Sequence, residues 1–138
     1  VPLPYYNSTM RAYLASTVNI TLTSAFKNYN GVYSENLRST LSDYNEVAAK
    51  TEIMSESMLF GQGIMRAFKE PSYSNNQFAL FRVMPKFIKS NAAYWIRDLG
   101  TDCNLGINAD GLISKYTALE ILGVRPCFPV MGFAPSPG

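Results

Sequence analysis

The sequence predicts an α+β domain, and three observations carry that prediction. Near the start, apolar residues recur at helical spacing. In the middle, Val47 to Ile53 alternates with period two. Late in the chain two apolar runs, Tyr94 to Arg97 and Gly123 to Val130, bracket a stretch rich in Gly, Asp, Asn and Thr. At 138 residues the chain fits one domain with one core, taken as residues 1–138 with the core over about 8–130 and extended tails at 1–7 and 131–138.

Prolines at positions 2 and 4 favour an extended entry, and Ser8 is placed to cap a helix. Met10, Tyr13, Leu14 and Val18 form its apolar face. A second helical pattern follows in Leu22, Ala25, Phe26 and Tyr29, with the β-branched cluster Thr17 to Thr21 expected to part the two helices. The triplets Asn7-Ser8-Thr9 and Asn19-Ile20-Thr21 match the glycosylation pattern but read better as cap and turn residues. Val32 to Asp43 reads as irregular or as a short helical turn. The alternation from Val47 to Ile53 predicts a strand, and Ser55 caps a short helix through Met58, Leu59 and Phe60 that Gly61 stops. Met54, Met58 and Met65 read as core filler.

Residues 66–76 read as an exposed loop. Phe78, Leu80 and Phe81 restart the apolar signal until Pro85 ends it. Beyond the strand at Tyr94, Leu105 and Ile107 alternate before the turn Asn108-Ala109-Asp110-Gly111, whose Asp-Gly pair is a strong hairpin signal. Trp95, Ile96, Val124 and Phe128 are expected inside. Asp98, Asp102, Asn104, Asn108, Asp110, Lys115, Tyr116 and Glu120 are expected outside, as the ligand-binding residues. Short amides, carboxylates and tyrosine supply adaptable hydrogen bonds and a stacking face. Leu112, Leu119, Ile121 and Leu122 are unusually apolar for such a surface; they either pack on the sheet or are covered by a neighbouring subunit.

Composition narrows the function classes. Only 16% of residues are charged, so uncharged polar side chains carry much of the surface, as in recognition proteins or in subunits covered by neighbours. The net charge is +2 with scattered basic residues, which argues against a nucleic-acid groove. No apolar run reaches the length of a membrane span, so membrane insertion is not expected. With no histidine and no nucleophile motif, catalysis is not expected, and no catalytic residue is assigned. Cys103 and Cys127 lack metal-ligand spacing, so neither a metal site nor a cofactor is expected; two separate reduced thiols are favoured over a bridge between them. Arg97 and Arg125 read as structural, anchoring a loop carbonyl or pairing a carboxylate such as Glu56.

The order of Ser8 to Leu14, KTEIMSESMLFG (Lys50 to Gly61), NQFALF (Asn76 to Phe81), YWIRD (Tyr94 to Asp98), the Asn-Ala-Asp-Gly turn and the final GVRP (Gly123 to Pro126) resembles a group of C-type-lectin-like domains of bacteria and tailed bacteriophages. Its distant relatives include formylglycine-generating proteins and retroelement-diversified receptor-binding proteins. The resemblance covers about Ser8 to Val130. It implies two N-terminal helices packed on a small twisted antiparallel sheet, with residues 98–122 as a long recognition region.

On this basis the expected function is a non-catalytic domain on the surface of a phage virion, a head decoration or a capsid-fused or fibre domain, that binds a host-surface glycan or protein. The alternative is a cementing module of a capsid or tail lattice. Other virion proteins, or further copies in a homo-oligomer or assembly, are the expected partners. Two departures from the family stand out. The calcium-binding loops of sugar-binding members are replaced here by Glu70-Pro71-Ser72 and Trp95-Ile96-Arg97, and the cysteine spacing differs from that of the formylglycine-generating enzymes.

Overall fold

The computed structural model describes residues 8–25, 33–38, 44–67 and 77–130, with the backbone alone for 33–38 and 44–49. It is an α+β arrangement of short helices and small antiparallel sheets. The Ser8 hydroxyl caps the first helix by accepting the Arg11 N–H at 3.2 Å. From there the chain is helical through α1 (Thr9–Tyr13), a π segment (Leu14–Val18) and α2 (Asn19–Ala25). The expected break between two helices is therefore absent. In its place the chain passes through the π segment, and beyond it the Thr21 and Thr23 hydroxyls donate to the Thr17 and Asn19 carbonyls, so their hydrogen bonds close inside the helix. Met10, Leu14 and Val18 face the domain, whereas Tyr13, expected on that face, is exposed. Phe26 and Tyr29 of the second helical pattern lie outside the described residues.

β1 (Tyr33–Arg38) and β2 (Tyr44–Ala49) form an antiparallel hairpin from Tyr33↔Ala49 to Arg38↔Tyr44. The reading of Val32 to Asp43 as irregular is thus corrected: a paired neighbour imposes strand geometry on a sequence with little alternation of its own. The strand expected over Val47 to Ile53 divides at a bend. Its end, β3 (Glu52–Ile53), pairs with β7 (Pro126–Cys127) far along the chain. Ser55 caps α3 (Glu56–Phe60) by accepting the Met58 N–H, and Gly61 ends it at φ 76°, where glycine carries no steric penalty.

After α4 (Ala79–Val83) and a 3-10 turn (Pro85–Ile88) comes the central sheet β4 (Tyr94–Leu99), β5 (Asn104–Ile107) and β6 (Ile113–Tyr116), antiparallel in that order. Gly123 adds a parallel bridge at the free side of β4, where the Trp95 N–H donates to the Gly123 carbonyl at 3.0 Å. Strand alternation then builds two cores. Tyr94, Ile96, Leu105 and Ile107 point to one face, against Met58 and Leu59 of α3, Phe81 of α4 and Ile88. Trp95 and Ile53 point to the other, against Met10, Leu14 and Val18 of the N-terminal helix. The final run is less of a strand than expected: among the described residues its one strand is Pro126–Cys127, flanked by single bridge residues at Gly123 and Val130. Val124, expected inside, is exposed because it sits between the bridge and β7, where no strand among the described residues pairs with it.

Candidate functional site

The 98–122 region is not one loop but a hairpin with a turn at each end. In the upper turn the Asn108 side chain is fully engaged. Its Oδ1 accepts the N–H groups of Asp110 and Leu112 at 2.9 and 3.0 Å, and its Nδ2 donates to the Ser114 hydroxyl at 3.0 Å. Gly111 completes the turn at φ 83°. The tip braces against the preceding segment: a methyl on Gly111 would stand 3.2 Å from Lys89 Cβ.

The lower end is built from two turns side by side. Gly100 N–H donates to the Cys103 carbonyl, leaving Asp102 exposed between β4 and β5. Beyond β6, Glu120 folds back so that its carboxylate accepts the Thr117 N–H at 2.7 Å. Asn104 and Tyr116 lie opposite each other in the β5–β6 register, and Tyr116 meets Trp95 edge-on with ring centroids 5.9 Å apart. The chain then climbs across the sheet. Leu122 covers Gly106, and Gly123 closes the bridge to β4.

The expected ligand residues are therefore dispersed. Asp102, Asn104, Tyr116 and Glu120 gather at the lower end. Asn108 and Asp110 stand at the upper end, the length of β5 away, about 13 Å for four extended residues. Lys115, next to Tyr116 in a strand, points to the opposite face. Asp98 is corrected outright: it is 2% exposed, and its carboxylate accepts the Glu56 N–H at the start of α3. A carboxylate at a helix start satisfies an otherwise orphaned donor, which explains why this acid lies inside.

Comparison with known protein families, curated proteins and solved structures finds no match for this chain.

The feature that sequence reasoning missed lies behind Asp98. Glu56, wholly buried, points its carboxylate at the following loop and accepts three consecutive backbone N–H groups: Ile64 at 3.0 Å, Met65 at 2.7 Å and Arg66 at 3.1 Å. Arg66 in turn donates to the Ser57 hydroxyl, and the Ala67 N–H donates to the Leu99 carbonyl, so the loop is fastened to both α3 and β4. Burial raises the Glu56 carboxyl above its ordinary range; the Met65 N–H opposes this, the nearby Asp98 charge adds to it, and the Ile64 and Arg66 N–H groups oppose it again. The run Thr51 to Ser57 held the signal, since five polar side chains in seven residues sit where Ile53, Met54 and a helix cap demand an interior position.

Arg125 does what was expected of it. Its guanidinium donates to the Ile88 carbonyl and to the Tyr94 hydroxyl and lies over the Phe81 and Tyr94 rings. Burial raises the Tyr94 phenol above its ordinary value, with Arg125 pulling the other way. Neither cysteine is in a disulfide, and both are half-buried against the larger core. Among the described residues no group of three His, Cys, Asp or Glu could hold a metal ion, and no helix is long and apolar enough to cross a membrane.

Proposed function

We propose that the chain is a non-catalytic recognition domain of the C-type-lectin-like kind, carried on the surface of a phage particle. It binds a host-surface glycan or protein through the lower end of its central sheet. The observation that carries this reading is the convergence of Asp102, Asn104 and Tyr116 at one end of a braced sheet, two acceptors or amides beside an aromatic edge. Rigid strands supporting polar turns are a common way to present contact residues. The phage setting rests on the motif order from Ser8 to Pro126.

The test is binding of the purified domain to a glycan array and to host cells, with Asp102→Ala, Asn104→Ala and Tyr116→Ala as variants. Loss of roughly tenfold or more in affinity for at least one variant, with unchanged melting, supports the site. Wild-type binding that ignores all three substitutions refutes it.

A second reading, a cementing module in a capsid or tail lattice, is favoured by Leu119 and Ile121, which are 93% and 98% exposed on an otherwise well-anchored turn. Particles lacking the domain that adsorb normally but disassemble more readily would select it.

A further inference from the structure

The segment formed by α4 and the 3-10 turn has two apolar sides. The inner side enters the core through Phe78, Phe81 and Ile88. The outer side holds Leu80, Val83, Met84 and Phe87, all exposed, with Leu80 at 50% and Val83 at 75%. A helix on a domain surface ordinarily reserves that outer side for polar residues.

The polar residues that do accompany this stripe are of one sign. Arg82, Lys86 and Lys89 are exposed, and the sequence from position 71 through 97 contains no Asp or Glu. Lys86 keeps its ammonium 5.5 Å from the Phe87 ring centre, so charge and aromatic face stay together.

The segment is also held rigidly from beneath. The Phe78 N–H donates to the Met58 carbonyl at 2.8 Å, and Arg125 grips the Ile88 carbonyl while lying over Phe81. The outer stripe is therefore presented in a fixed arrangement rather than formed on contact.

We infer that this stripe is a docking surface for an anionic membrane. Exposed aliphatic and phenylalanine side chains among lysines and an arginine enter the boundary between headgroups and acyl chains, while the cations meet anionic lipid. The charge complement is direct: three cations with no acid in their own segment face a negatively charged leaflet. Lysine is depleted in protein–protein interface cores, which favours a lipid surface over an acidic protein. The contact is peripheral, and it lies on the opposite side of the sheet from the Trp95–Tyr116 face, so it stands apart from the proposed ligand site.

The test is co-sedimentation of the full 138-residue chain with vesicles of phosphatidylcholine alone and of phosphatidylcholine mixed with phosphatidylserine. The expected result is binding to the mixed vesicles alone, weakened by salt. Lys86→Gln with Lys89→Gln should weaken it on the order of thirtyfold. Leu80→Ser with Val83→Ser should weaken it roughly tenfold, with melting unchanged in both because these side chains are exposed. Absence of binding to the mixed vesicles overturns the assignment, as does binding that both double variants leave intact. Binding to poly-glutamate but not to vesicles, lost in the lysine variant, also overturns it and assigns the surface to an acidic protein.

Discussion

Leu122 lies directly over Gly106, so close that a methyl on the glycine would meet its Cδ2 at 2.9 Å. The same methyl would stand 2.8 Å from the Tyr94 carbonyl oxygen and 3.0 Å from the Tyr116 ring. The absence of a side chain at position 106 is what lets the chain from Glu120 to Gly123 fold back onto the sheet and complete the bridge to β4.

Gly106→Ala is accordingly expected to destabilise the domain by about 1–3 kcal/mol, the usual cost of overpacking. The backbone carbonyl of Tyr94 cannot step aside as the leucine can. Equilibrium denaturation measures the loss, and a variant as stable as wild type would contradict the packing described.

Glu56→Ala removes the shared acceptor of three partly buried N–H groups. Hydrogen bonds to charged groups contribute about 1.5–3 kcal/mol each, so a loss of at least about 3 kcal/mol is expected. Amide exchange at Ile64, Met65 and Arg66 should accelerate well beyond that of the β4–β5 ladder. Uniform acceleration across the domain would deny Glu56 a local fastening role.

The pH dependence follows from the raised Glu56 pKa. A carboxyl that holds its proton more tightly when folded binds more protons in the native state than in the unfolded one over the interval between the two values. Its contribution to stability is thus fully present below the ordinary value of 4.5 and is lost as pH rises through the folded value. The unfolding midpoint of the wild type should fall as pH climbs out of the carboxylate range. Glu56→Gln should flatten that slope, and an unchanged slope would assign it to other groups.

Tyr94→Phe deletes the hydroxyl that donates to Ile88 and accepts from Arg125. About 1–2 kcal/mol of stability should be lost, mostly because the Ile88 carbonyl and Arg125 lose a partner at a buried position. A phenylalanine variant equal to wild type in chemical denaturation would show the contact to be inconsequential.

Asp98→Ala separates architecture from recognition. It should lower the melting temperature by leaving the Glu56 N–H without its acceptor, whereas Asp102→Ala should leave melting unchanged. The reverse pattern would restore Asp98 to the contact surface.

Local signals made much of the scaffold legible. Ser55, Gly61, the Asn108 to Gly111 turn and the apolar pairs in β4 and β5 each carry their own stereochemical instruction, and each lies where that instruction sends it. The β1–β2 hairpin was not legible, because the pairing of Tyr33 to Arg38 is decided by a neighbouring strand rather than by alternation. Asp98 was misplaced for a related reason: an acid looks solvated until the helix start it caps, 42 residues earlier, is brought beside it. The dispersal of the predicted contact residues to two ends and two faces follows from strand register, to which a list of polar residues is blind.

Glu52 and Ile53 find their strand partners only at Cys127 and Pro126. During synthesis, the segment leading into α3 must wait on the ribosome with its edge open until nearly the whole described domain has been made. A late closure of this sort raises the sequence separation that folding must bridge, and so favours slow folding.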